Sequence, residues 1–363
     1  MLPPRWLRRC VLAPAVMLLT AALLTALPLV LLVAAILSPL IPGRWRPLRL
    51  LWLATLYLLL ETAALLVMFV LWVLSGFGWK LRSPRFLAVH YGLARALLAL
   101  MYAEVQRVLK VQVSVEGPDP SSLARRPLLV FSRHAGPGDS FLLMHALLSW
   151  YHREPRVVLK WTLQWDPLID VLLWRLPNRF IEPGRKGGTQ GASSLDAIRE
   201  LATGLDQDDA FVIFPEGGNF TARRRARAIL MLRKKGMLEE ADKAEQMRHV
   251  LPPRPGGVGA ALDAAPQADV VWVAHSGLDH LVSAGDIWRA LPMDTTIITR
   301  WWLVPAGEVP TSEEGRLEWL YGWWATIDTW IGENQALPAS STAGTEKSAG
   351  TEKSAGTEKH QHS

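Results

Sequence analysis

Hydrophobic positions are distributed in two distinct ways along this chain. Residues 11–41 run without a charge, and residues 50–78 repeat that pattern with Glu61 as the exception. A helix needs roughly 20 apolar residues to cross a bilayer, so each stretch predicts a membrane anchor. A cleaved leader competes for the first, because Arg5, Arg8 and Arg9 precede it. Its apolar run is too long for a leader, and a second follows directly, which favours retained anchors. Residues 83–110 read as a mostly apolar helix with Arg95, Glu104 and Arg107 interspersed, lying along the membrane or the domain surface.

From residue 111 short apolar runs alternate with helical periodicity. Strands read at 111–115, 127–133, 156–160, 179–182, 210–215, 270–275 and 295–304. Helices read at 139–151, 163–175, 189–204, 221–249 and 312–331. Continuous apolar strands between helices predict an α/β fold with a mostly parallel, helix-covered sheet. The end of the chain is different material. Ala-Gly-Thr-Glu-Lys recurs at 343–347, 349–353 and 355–359. With no apolar side chain larger than alanine, these repeats cannot bury enough surface to offset ordering entropy, which predicts a disordered tail. The chain thus divides into hydrophobic helices over 1–82, an α/β domain over 83–334 and a repeat tail over 335–363.

Composition sharpens this picture. Hydrophobic residues make up 50% and the mean hydropathy is +0.15, in keeping with membrane segments. A net charge of +6 and a pI near 9.6 favour an anionic partner surface. With so apolar an N-terminus, lipid headgroups fit better than nucleic acid, for which there is no recognisable motif. The single cysteine, Cys10, excludes a disulfide framework within the chain, and no Cys/His cluster has zinc spacing. Basic clusters at Arg5/Arg8/Arg9, Arg44/Arg46/Arg49 and Lys80/Arg82/Arg85 flank the two apolar stretches. Two simple spans would put the middle cluster on the opposite side from the others, against the positive-inside tendency. Either the first stretch bends at Pro28 into a hairpin, or the pair lies partly in the interface. Glu61 is a functional candidate at membrane depth, or else sits protonated or paired between helices.

Candidate chemistry concentrates after the run at 127–131. Gly136, Pro137 and Gly138 break regular structure there, and Asp139 suits the N-cap of the helix that follows. His134 and Asp139, with four residues between them, share this strand-to-helix turn. A carboxylate beside a histidine fixes its tautomer and leaves the other nitrogen as a general base. The alternative is that Asp139 only caps a helix. A second apolar strand ends in Phe214-Pro215-Glu216-Gly217, 82 positions after His134 in the case of Glu216. Together these resemble the H-x4-D and F-P-E-G motifs of the glycerolipid acyltransferases, the lysophospholipid acyltransferase family.

The resemblance covers roughly residues 45–280 and implies a set of roles. His134 would be the base and Asp139 its orienting partner, with no covalent nucleophile. Lys160 opens a segment resembling the family's Lys-x-x-Leu-x-x-x-Pro element. Arg179 and Arg185 compete as the phosphate-binding arginine, with Arg185 nearer the expected place; a planar guanidinium suits phosphate. Glu216 and Gly217 would help to form the acceptor site. Arg254 lies in a segment resembling Leu-x-Pro-Arg-x-x-Gly-Phe of the lysophosphatidic acid and lysocardiolipin branch. It is a further candidate contact to acceptor or donor. The chain departs from the pattern at Arg133 for Asn, Gly218 for Thr and Trp272 for Pro.

The implied activity is membrane-bound acyl transfer from acyl-CoA or acyl-carrier protein to a lysophospholipid hydroxyl. The simplest case converts 1-acylglycerol 3-phosphate to phosphatidic acid. No cofactor or metal is implied beyond the thioester co-substrate, and the catalytic domain is expected on the cytoplasmic side. The basic run from Arg223 to Arg227 with Arg233, Lys234 and Lys235 reads as a contact for anionic headgroups or CoA phosphates, or as a solvated helix face. Trp319, Trp323, Trp324 and Trp330 read as interfacial anchors or as core. Two other function classes compete. Gly138-Asp139-Ser140 superficially resembles a GDS-type esterase, but the late Asp-x-x-His that would activate Ser140 is missing, as is a Gly-x-Ser-x-Gly elbow. A non-catalytic lipid-binding scaffold is the other, supported only by Arg133 and Gly218.

Overall fold

A computed structural model describes residues 3–41, 45–119, 123, 126–181, 190–278 and 284–334. Three apolar helices come first: α1 (Arg5–Leu37), α2 (Arg46–Leu74) and α3 (Pro84–Leu109). Among the described residues these three are long and apolar enough to cross a membrane, by length and composition. The α/β part then runs β1 (Val111–Glu116), β2 (Leu128–Ser132), α4 (Pro137–His145), β3 (Glu154–Lys160), α5 (Pro167–Arg175) and β4 (Arg179–Ile181). It continues with α6 (Gln190–Ala202), β5 (Asp209–Ile213), α7 (Ala222–Lys234), α8 (Leu238–Gln246) and α9 (Pro255–Ala264). It closes with β6 (Asp269–Ser276), α10 (Ala284–Ala290), β7 (Thr295–Val304) and α11 (Glu313–Glu333). The strands form one sheet, ordered β1-β7-β6-β2-β5-β3-β4, and all its pairs are parallel except β6 with β7.

The central strand shows why the sheet is covered on both sides. Every residue of β2 is buried. Leu129 and Phe131 face one layer with Phe211, Trp272 and the inner side of α11, while Leu128 and Val130 face the other with Val212, Val273 and Leu147. This is the period-two division of a strand between two apolar layers. The C-terminal tryptophans belong to the first layer. Trp324 is fully buried and Trp330 is 5% exposed, while Trp319 and Trp323 lie 5.1 and 5.7 Å from the Trp272 ring. They are core, not interfacial anchors.

The hydrophobic hairpin lies along the domain instead of standing away from it. At one end Arg8 pairs with Asp170 of α5 at 3.0 Å. At the other, Arg46 donates to the carbonyls of Leu291 and Arg289 at 2.5 and 2.8 Å. Between them Leu65 and Met68 of α2 pack on Tyr91 and Ala94 of α3 and on Leu172 of α5. The first and middle basic clusters therefore both meet the α/β domain. Pro28 does not reverse the chain, because α1 continues through it. Glu61 is 2% exposed and sits beside Asp166 and Leu168, between α2 and the start of α5. The outward faces carry exposed Leu18, Leu29, Leu32, Phe69 and Leu74, with Phe77 and Trp79 in the turn after α2.

Two local readings of the sequence are corrected. The helical stretch at 221–249 is two helices, α7 and α8, separated at Gly236, whose φ of +77° ends the first. Helix α9 has no counterpart among the predicted elements because Gly256, Gly257 and Gly259 lower its helix propensity. Gly257 packs closely there: a Cβ would meet Ile213 Cδ1 at 2.9 Å and Ile198 Cδ1 at 3.3 Å, so those side chains would have to shift. The repeat tail falls outside the described residues.

These contacts predict opposite behaviour for two tryptophans. Trp324→Ala should lower stability by about 3–5 kcal/mol, as expected for emptying a fully buried indole. Trp79→Ala, at an 87% exposed site, should leave thermal unfolding in detergent within about 0.5 kcal/mol of wild type.

Candidate active site

Strand β2 ends at Ser132, and the chain turns at once into α4. Gly136, extended at φ −177°, is the N-cap and Pro137 opens the helix, where its missing N–H is not needed. Asp139 is therefore not the N-cap but the third helical residue. From there its carboxylate reaches back to the N–H groups of Ala135 at 2.5 Å and Gly136 at 2.9 Å. The same group accepts from His134 Nδ1 at 3.1 Å and from Ser140 Oγ at 3.0 Å.

Asp139 is 3% exposed. Burial works against its charge, but the hydrogen bond from His134 and the nearby His275 ring outweigh it and hold the carboxyl well below the usual carboxylate range. An anionic Asp139 keeps the proton of His134 on Nδ1. Nε2 is left available on a side chain that is 19% exposed.

The second motif builds the wall and floor of this site. Phe214 packs on the His134 imidazole with ring centroids 4.5 Å apart. Glu216 Oε2 accepts from the backbone N–H of His134 at 3.0 Å, and Oε1 from that of Leu251 at 3.1 Å. At 2% exposure this carboxylate points inward and clamps three chain segments together. Burial pushes its carboxyl up to about 8, against the pull of Arg133 and the two N–H groups. Gly217 has a φ of +65°, and a Cβ there would lie 2.8 Å from the guanidinium carbon of Arg254. The glycine thus lets an exposed arginine rest on the turn, while Arg254 N–H is held by Pro215 O at 2.9 Å. His134, Glu216, Gly217 and Arg254 meet at the carboxyl edge of β2 and β5, where open α/β sheets bind ligands.

Residues 112–266 match the family model described as Acyltransferase. This is an acyltransferase domain. No curated protein matches the chain. Among solved structures, the chain is similar to the 1-acyl-sn-glycerophosphate (LPA) acyltransferase, PlsC, from Thermotoga maritima. That similarity is 15% in identity, covers 77% of this chain and 97% of that one, and has a TM-score of 0.42.

The remaining candidates are scattered around the acyltransferase sheet. Lys160 is the exposed last residue of β3. Arg179 opens β4, away from the carboxyl edge, and pairs with Glu200, with Nε 3.1 Å from Oε2. Arg185 lies outside the described residues. Within the basic run, Arg225 caps the end of α8 through the carbonyls of Ala244, Glu245 and Met247, and Arg233 pairs with Asp242 and Glu245. Part of that run is therefore structural.

Two residues carry more than the motifs suggested. Arg133 is fully buried, and its guanidinium donates to the carbonyls of His275 at 3.1 Å and His249 at 3.0 Å. Its departure from the usual Asn was the visible signal. His275 had none beyond standing at the end of an apolar strand, because only the pairing of β6 with β2 brings it to Asp139.

Glu216→Gln should lower stability by about 1–3 kcal/mol, since an amide has one acceptor oxygen for two buried N–H groups. A carboxyl raised from 4.5 to about 8 on folding favours the folded state most below pH 4.5. That contribution is lost as pH rises through about 8. Melting curves at several pH values should show this decline in wild type and a flatter profile in the glutamine variant. Gly217→Ala should cost about 1–3 kcal/mol for its left-handed backbone alone. It should also displace the Arg254 guanidinium, and thermal unfolding of the variant checks the combined cost.

Proposed function

We propose that this acyltransferase transfers an acyl chain from a thioester, acyl-CoA or acyl-carrier protein, to the hydroxyl of a lysophospholipid. The acceptor best suited to the site is 1-acylglycerol 3-phosphate, giving phosphatidic acid. The observation that carries this reading is the dyad itself. A half-buried imidazole is oriented by a buried anion at the carboxyl edge of the sheet, and an exposed arginine rests on Gly217 of the adjoining turn. His134 Nε2 takes the hydroxyl proton as the oxygen attacks the thioester carbonyl. The C–O bond forms, the C–S bond breaks, and the proton passes to the departing thiolate. Asp139 stays ionised throughout and stabilises the imidazolium between the two transfers. Arg254 supplies a fork of donors suited to a phosphate.

The apolar outer faces of α1 and α2 support a membrane location, which would keep a lysolipid acceptor and the acyl product in the lipid phase. Ser140 donates its hydroxyl to Asp139 rather than to a base. A serine-hydrolase mechanism has no support in that geometry.

Membranes containing the wild-type protein, given labelled acyl-CoA or acyl-carrier protein and a panel of lysophospholipids, should form diacyl product. His134→Ala should lower the rate by about 10²–10⁴-fold. Ser140→Ala should lose only a few-fold, because backbone donors still hold Asp139, and fluorophosphonate should not label the protein. Absence of His134-dependent transfer with either donor would sink the enzymatic reading in favour of a lipid-binding scaffold.

A further inference from the structure

A second imidazole lies against Asp139. His275, near the carboxyl end of β6, is 3% exposed and places Nε2 3.3 Å from Asp139 Oδ2. That oxygen also takes the N–H groups of Ala135 and Gly136. The strand register explains the placement. Val273 pairs with Ser132 in the parallel β2–β6 ladder, so two residues further on His275 stands level with His134. The end of β6 is tied there by Arg133, which donates to the His275 carbonyl. His275 also lines a cavity of about 20 Å³ with Ser132, Thr299 and Asp139, room for one water molecule.

Packing alone does not account for a histidine here. The preceding residues of β6, from Val270 to Ala274, are all apolar. A leucine would fill the same space without setting a polar ring in a buried site. Neither ring nitrogen of His275 makes a straight hydrogen bond within the protein, and Asp139 Oδ2 is the charged atom it meets.

We propose that His275 is a positioning residue that shares the Asp139 carboxylate with His134, and so sets how tightly Asp139 holds the proton on the catalytic base. This deepens the acyltransferase reading and rests on His134 being that base. The direction does not depend on the protonation state of His275. Neutral, it carries its proton on Nε2, since a lone pair there would face the anion, and turns the positive end of that N–H dipole toward Oδ2; protonated, it adds a full positive charge. In both cases less of the Asp139 charge is left to stabilise the His134 imidazolium. A base with a less stabilised conjugate acid stays unprotonated to lower pH and returns its proton more readily to the departing thiolate. The other ionisable groups around the pair are Arg133 in the β2 turn and Glu216 in the β5 turn, and both remain in the variants below.

The test uses the full chain in lipid nanodiscs with histidine labelled at Cε1, the His134 resonance being assigned with His134→Ala. His275→Leu should raise the titration midpoint of His134 by about one pH unit. It should move the acid limb of kcat upward by the same amount while KM changes little. His275→Gln, which keeps an N–H donor near the position of Nε2, should restore most of both. A residue that serves only packing would lower the melting temperature without moving either titration, and leucine would then serve as well as glutamine. An unmoved midpoint in His275→Leu, or equal midpoints in the two variants, overturns the proposal. If His275→Leu does not fold, His275→Asn takes its place, since the shorter amide falls short of Oδ2. The wild-type assay separates the two levels of inference. Without His134-dependent transfer the enzymatic reading fails, while the His134 midpoint still decides whether Asp139 is shared.

Discussion

The site depends on keeping one carboxylate charged in the buried turn between β2 and α4. Asp139 is 3% exposed, and an ion in such a place is stable only if donors surround it. The turn between β2 and α4 is built to supply them. Two backbone N–H groups, a serine hydroxyl and an imidazole converge on its two oxygens, with a second imidazole in contact. Asp139, three residues into the helix that Gly136 caps, reaches back to those N–H groups, so the turn and the charge of the acid are built together.

Around that centre the F-P-E-G turn acts mainly as a mould. Phe214 sets the plane of the His134 ring, Glu216 holds the His134 backbone, and Gly217 clears space for Arg254. A buried carboxylate with both oxygens occupied by backbone N–H groups is poorly placed to meet a substrate. Its value is to lock β2, β5 and the segment before α9 in one arrangement. A shift of either strand would move His134 relative to Arg254. Arg133 performs the same office between β2, β6 and His249.

The apolar helices extend this logic to location. Arg8 and Arg46, from opposite ends of the hairpin, both bind the α/β domain, so the hydrophobic faces are carried alongside the sheet. Mean hydropathy and run length mark the helices as membrane material, yet say nothing of the angle at which they leave the domain. An ion pair between residues 162 positions apart and hydrogen bonds across 243 and 245 positions decide that.

How much was legible in the sequence follows from the range of each interaction. Strands and most helices announced themselves through local periodicity, which burial on one or two faces imposes on neighbouring residues. His134, Asp139 and Glu216 were visible because their turns need particular residues at fixed spacing. Helix α9 was hidden, since its glycines lower local propensity, and the close packing of Gly257 on Ile213 and Ile198 is a tertiary contact. The N-cap shifted from Asp139 to Gly136 because the carboxylate finds better use reaching backwards. His275 could not be read at all. Its meeting with Asp139 comes from the register of two strands whose sequences lie some 140 residues apart. The sequence by itself determined the α/β order, the apolar helices and the residues of the dyad, all of which rest on short-range patterns. The tertiary structure alone decided which carboxylate clamps, which arginine is buried and which second histidine touches the anion. Those depend on strand pairing, which no local pattern encodes.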